Sequence, residues 1–200
     1  MKIIPTRTRE RDLAAAGFAC VVGVDEAGCG ALAGPVVAGA VSLQLDASIV
    51  GVRDSKLLTA KARERLYDDI VRVATGWHIG MASVSEINEF GIRPSTLLAM
   101  RRAVLGIDGV QFALVDAWTI PDLSFPQQGI IRGDQTIHCI AAASILAKVT
   151  RDRLMQELSR QYPQYGFAVH KGYGTQQHRE RLEKYGMCAA HRKAFVHLSH

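Results

Sequence analysis

Residues 21–30, VVGVDEAGCG, constrain what this chain can fold into more than any other stretch. An apolar run of strand length ends in two adjacent carboxylates, Asp25 and Glu26, and then breaks into a glycine-rich turn. Acids at the end of a buried strand are costly unless a cation or hydrogen-bond donors meet them. The chain resumes at 35–41 as PVVAGAV, a second extended apolar run. Two strands joined through a glycine turn, with acids at the junction, suggest a divalent metal. Gly28, Gly30 and Gly34 are not a dinucleotide-binding fingerprint. That motif opens a helix after its strand, whereas here Pro35 leads into another strand. Neighbours in a regular strand face opposite sides, so Asp25 and Glu26 share one site only if the strand bends or ends between them.

The rest of the chain can be taken in order. Strands are expected near 20–26 and 35–44, then a polar loop with Asp54, Ser55 and Lys56. Thr59 is placed to cap a helix running to about residue 73, and 77–84 alternates enough for a third strand. Three strands followed by helices argue for a mixed sheet and not a doubly wound one. A second helix is expected from Pro94 and Ser95. Residues 112–115 form a short buried strand with Asp116 at its carboxyl end, 118–128 a loop, and 129–131 a last strand. Asp134 opens a long helix over 136–161 and suits its N-cap. Ala141, Ala142, Ala143 and Ser144 let that helix approach the sheet closely, and Lys148, Arg151 and Arg153 give it a basic end. A loop over 164–175 carries His170, Lys171 and Tyr173, and a short basic helix over about 176–185 follows, with His191, Arg192 and Lys193 in the tail.

Two hundred residues without linker or repeat suit one domain spanning 1–200. A net charge of +5 permits a polyanionic partner without demanding one. Cys20, Cys29, Cys139 and Cys188 form no C-x-x-C pair, so zinc and a disulfide framework are not expected and a reducing cytosol fits. The apolar stretch 13–20 behind basic residues imitates a secretory signal, but Glu10 and Asp12 interrupt the basic part and the run continues into Asp25. No run approaches the roughly 18 apolar residues of a membrane span. The expected location is cytoplasmic.

Six blocks together resemble bacterial ribonuclease HII: VDEAGCGALAGPVVAGAV at 24–41, DSKLL at 54–58, LVDA at 114–117, GD at 133–134, AAASILAKVTRD at 141–152 and HKGYGT at 170–175. The resemblance implies an α/β fold, a ribonuclease H-like mixed β-sheet flanked by helices, with a small helical C-terminal extension over about 160–200 that binds substrate. It implies an endonuclease hydrolysing the RNA strand of RNA/DNA hybrids, single ribonucleotides embedded in duplex DNA included, and leaving 5′-phosphate and 3′-hydroxyl ends. Asp25, Glu26, Asp116 and Asp134 would be the catalytic metal ligands; carboxylate oxygens are what Mg²⁺ or Mn²⁺ prefers. The turn Gly28, Cys29, Gly30 would meet the ribose 2′-hydroxyl and Tyr173 would stack on the following deoxyribose. Lys56, Lys148 and Lys171 would contact phosphates. The expected partners are RNA/DNA hybrid and ribonucleotide-containing duplex, with the protein a monomer. Three positions depart from the family pattern: Cys29 replaces its usual arginine, Thr136 a basic residue, and Ala194 the serine of HR-x-SF. The alternatives are a nuclease or strand-transfer enzyme of the same fold acting on DNA, metal-free cleavage by His170 and His178, and a non-catalytic nucleic-acid-binding module.

Overall fold

The computed structural model describes residues 4–47 and 49–196. Five strands form one mixed sheet in the order β3-β2-β1-β4-β5: β1 Val21–Ala27, β2 Val36–Leu43, β3 Ala74–Ala82, β4 Phe112–Asp116 and β5 Gln127–Ile130. β2 runs antiparallel to β1 and β3, β4 runs parallel to β1, and β5 parallel to β4. The helices are α1 Thr8–Ala15, α2 Ala60–Val73, α3 Val84–Phe90, α4 Ile92–Leu105, α5 Gly133–Thr136, α6 His138–Gln161, α7 Phe167–His170 and α8 Gln176–Tyr185. This is the expected mixed sheet flanked by helices, with the small helical extension at its end.

Alternation along β1 sorts the two layers. Val22 and Val24 face α4, in one core with Val36, Met100, Ala103 and Val104. Gly23 faces the other way and lies against the backbone of α6 at Cys139 and Ile140. One strand over, a Cβ at Gly39 would lie 2.6 Å from the Ala143 carbonyl. Glycines on the sheet and alanines on the helix together allow the close approach anticipated from residues 141–144. Beyond them, α2 buries Leu66 and Ile70 against Ile145, Leu146 and Val149.

Several boundaries differ from expectation for local reasons. Thr59 caps α2 as anticipated, its hydroxyl accepting from the Ala62 amide at 3.2 Å. β3 follows α2 directly and ends at Ala82, because Ser83 and Glu86 form a capping box that starts α3. α4 begins two residues before Pro94, which falls in the first turn where no intrahelical donor is needed. α1 has no apolar stripe to read: it buries only Glu10 and Leu13.

The long helix is interrupted where Asp134 was expected to open it. α5 ends at Thr136, and Thr6 pairs across the break at Ile137, its amide donating to Thr136 O and its carbonyl accepting from His138 N, both at 3.0 Å. The cap of α6 comes from far away in sequence: Glu10 Oε1 accepts from the Cys139 amide at 2.9 Å. Asp134 is not its N-cap, and its carboxylate is left for other work.

Candidate active site

β1 and β4 lie side by side and parallel, so Asp25 and Asp116 emerge at the same end of the sheet. A sharp return follows Asp116, with Ala117 in the left-handed region at φ 56°. A second left-handed residue, Arg132 at φ 57°, turns the chain into α5 just before Asp134. Strain of this kind persists where the surroundings over-determine it. It brings one oxygen each of Asp25, Asp116 and Asp134 within 4.8 Å of one another. Asp25 and Asp134 are each only 3% exposed.

The three acids are held from behind. Asp25 accepts from the Glu26 amide at 2.7 Å, and the neighbouring Ser144 hydroxyl meets Ser55 Oγ at 2.8 Å. Asp116 Oδ1 accepts from the Gly133 amide at 2.7 Å. Burial, then the charges of Glu26 and Asp116, push the Asp25 carboxyl well above the usual range. Burial, then Asp134, raises Asp116. Lys56 Nζ stands 3.4 Å from Asp134 Oδ2. Its amine is raised: burial opposes the charge, but Asp134, Asp54 and Asp25 more than offset it.

Glu26 takes the opposite face. Pairing with β2 continues without a break through Ala27, so the strand neither bends nor ends between the two acids. Asp25 faces α6, whereas the Glu26 carboxylate lies on the α4 side. There Cys29 Sγ donates to its Oε1 at 3.3 Å and meets Thr96 Oγ1 at 3.2 Å. Glu26 Oε2 is buried with no partner. Burial, then the charge of Glu26, pushes the Cys29 thiol up to about 12, so it is a neutral donor. Its side chain faces inward, and what the turn offers outward is backbone. Sequence reasoning missed Thr96 and the cavity of about 240 Å³ beside Glu26, where Arg93 lies 4.4 Å over the Trp118 ring.

The turn itself is held by two fully buried arginines, also missed. Arg151 donates to the carbonyls of Ala33, Pro35 and Lys171, and Arg192 to those of Cys29 and Gly34, at 2.9–3.1 Å. With carbonyls turned inward, the amides of Cys29 and Gly30 find no acceptor among the described residues. A Cβ at Gly28 would run into the Arg151 side chain, whereas at Gly30 it would meet open space. The signal for Arg151 was present in the sequence: Ala143, Ala147, Arg151 and Met155 recur at spacing four, and all are fully buried. That removes Arg151 from the expected basic end of the helix. Arg153 pairs with Glu64. Lys148 is tied to Asp152 at 2.7 Å and lies 5.7 Å from the Tyr173 ring. Lys171 Nζ donates to its neighbour Ala168 O at 2.6 Å. Of the three lysines, Lys56 is the one in contact with the acid cluster. Tyr173 is 37% exposed and pairs with Ala31 next to the turn. His170 and His178 are buried with both ring nitrogens bonded inside the protein, which leaves neither free as an acid or base.

The cluster fits a hard divalent cation. Three carboxylate oxygens converge, burial and then neighbouring charge raise Asp25 and Asp116, and a fourth carboxylate nearby keeps a bare buried oxygen. A mixed sheet whose adjacent parallel strands end in such acids defines the ribonuclease H-like class. The description "Ribonuclease HII" belongs to the family model that matches residues 22–200. The chain is 53% identical over 177 residues to the ribonuclease HII of Acidovorax sp. strain JS42, covering 88% of this chain and 85% of that one. It is 46% identical over 188 residues to that of Caldicellulosiruptor saccharolyticus, covering 94% and 92%. Among solved structures, ribonuclease H2 from Pyrococcus horikoshii matches with a TM-score of 0.76 at 27% identity, over 88% of this chain and 93% of that one. The chain belongs to the ribonuclease HII family.

Proposed function

We propose that the protein is an endonuclease that hydrolyses the RNA strand of RNA/DNA hybrids, including single ribonucleotides embedded in duplex DNA. The observation that carries this is the convergence of Asp25, Asp116 and Asp134 within 4.8 Å at the ends of adjacent elements. These three would hold a divalent cation, Mg²⁺ or Mn²⁺, with Glu26 reaching the same region from the other face of the strand. What such a cation supplies when bound is charge: a more acidic attacking water and an offset for the leaving 3′-oxygen. The chain's own residues do the rest. The Glu26 and Gly133 amides aim the carboxylates of Asp25 and Asp116. Lys56 places a cation beside Asp134, on the path of an approaching phosphate. The outward amides of Cys29 and Gly30 suit a ribose hydroxyl, and the exposed Tyr173 ring suits a sugar lacking one. Residues from about 160 onward serve as the substrate-binding unit.

The four cysteines are unpaired, as a reducing compartment such as the cytoplasm requires. Among the described residues no helix is long and apolar enough to cross a membrane. We take the protein to act as a monomer. The deciding assay uses a duplex with one ribonucleotide, with and without Mg²⁺ or Mn²⁺, and identifies the product ends. Cleavage that needs the ion and leaves 5′-phosphate and 3′-hydroxyl is expected. Cyclic phosphate ends, or cleavage that survives chelation, would overturn the reading.

A further inference from the structure

His170, His178 and His191 are 7%, 0% and 2% exposed, and each has both ring nitrogens engaged inside the protein. The directions of these bonds follow from the nearest backbone partners at the ends of the chain of rings. The Tyr173 carbonyl can only accept, so His178 Nδ1, 3.0 Å away, carries a proton and donates it. His178 Nε2 is then bare, and His191 Nε2 at 3.1 Å must donate to it. That leaves His191 Nδ1 bare, to accept from the Cys188 amide at 2.9 Å, the nearer of its two backbone contacts; the Cys188 carbonyl at 3.3 Å receives no proton from it. His170 follows the same logic: Nε2 donates to Tyr165 O at 2.8 Å while Nδ1 accepts from the Gly172 amide at 3.2 Å. Its ring stacks on His178 with centroids 4.3 Å apart. Only neutral rings, each in one tautomer, satisfy the nearest contact at every ring nitrogen.

We propose that His170, His178 and His191 are positioning residues that hold the backbone on both sides of Tyr173 and couple it to the turn at Cys29 and Gly30. The coupling runs through the tail. His191 sits next to Arg192, whose guanidinium grips Cys29 O and Gly34 O, and Ala190 O accepts from the Gly34 amide. Gly172 O accepts in turn from the Leu32 amide. The proposal rests on Tyr173 being a substrate contact. A protonated ring has two donors and no acceptor, so one added proton sets two N–H groups of His178 and His191 against each other. The groups facing the trio offer no relief. They are the Cys188 thiol, the Tyr165 and Phe167 rings and Lys171, with Arg151 and Arg192 further on and no carboxylate among the described residues. Burial accordingly holds His178 down at about 4.

Two measurements test this on the whole protein. Long-range proton–nitrogen NMR at neutral pH should show the Nδ1–H tautomer for His178 and Nε2–H for His170 and His191. Any other assignment overturns the relay, and this needs no variant to fold. The second is the ratio of kcat/KM on a single embedded ribonucleotide to that on a continuous hybrid. His178→Leu loses the bond to Tyr173 O and should lower the ratio about fivefold, while His178→Asn, which keeps an N–H donor, should stay within about twofold. Acidification should lower the parent's ratio more than that of His178→Asn; equal pH dependence overturns the proposal. Tyr173→Ala separates the two claims. If it shifts the ratio and a folded His178→Leu does not, the relay fails while the Tyr173 contact stands. If Tyr173→Ala leaves the ratio unchanged, both fail.

Discussion

At the residue scale, the acids divide by what lies around them. Asp25 is buried with Asp116 and Asp134 close by, and without a cation these charges repel. Asp25→Asn and Asp116→Asn should each lower cleavage by at least about a hundredfold. In the absence of metal both variants should melt no lower than the parent, since each substitution removes repulsion. A clear loss of metal-free stability would mean that the acids are structural. Glu26 depends on Cys29, whose thiol bridges it to Thr96. Cys29→Ser keeps a donor there and should be close to silent, whereas Cys29→Ala should cost about fivefold in kcat. With its thiol held at about 12, Cys29 should also resist alkylation at pH 8. Rapid labelling of Cys29 in the folded protein would contradict the inward geometry. None of this was legible in the sequence, where Cys29 stood in a turn expected to work through its backbone and its side chain was given no role. A three-residue reach from Cys29 to Glu26 is visible only once the strand's alternation is known to continue through both acids.

At the scale of elements, the closest packing is between α6 and the sheet. Gly23 lies against the backbone of Cys139 and Ile140, which cannot withdraw without moving the helix. Gly23→Ala should therefore destabilise by about 2 kcal/mol through overpacking. Gly30→Ala, in open space, should leave stability within about 0.5 kcal/mol, as surface substitutions do. Urea midpoints of the two variants decide the point; equal effects would mean that the helix does not sit where it is described. Local signals placed β1, β2, β4 and α2 well, because strands with β-branched apolar runs and helices with a side-chain cap carry their determinants nearby. They failed at the start of α6, where the cap is Glu10 and the break is paired by Thr6, both more than a hundred residues away.

At the scale of the molecule, three buried neutral histidines tie the C-terminal unit to the catalytic layer, and they make stability depend on pH with a definite sign. The folded pKa of His178 is depressed, so the unfolded chain binds more protons below about 6.5. Its contribution is full above that value and is lost as pH falls towards 4, on the order of 3 kcal/mol. His138, also held at about 4 by burial and the Arg7 charge, acts in the same direction. The urea midpoint should fall between pH 7.5 and 5, and His178→Asn, which does not titrate, should flatten that fall. A midpoint as steep in the variant as in the parent would remove His178 from this account. The sequence by itself determined the five strands and the helices α2, α4, α6 and α8 from their own neighbours, whereas the four acids, the glycine turn and Tyr173 stood out through the resemblance of their blocks to ribonuclease HII. Only the tertiary structure decided which of these meet. Asp134 joins Asp25 and Asp116 because Arg132 turns left-handed and a distant Glu10 takes over the helix cap; Glu26 approaches them from the α4 side because β1 stays regular; Arg151 is inside because its stripe faces the turn. Hydrogen-bond partners and burial are pairwise and non-local, and no single position in the chain encodes them.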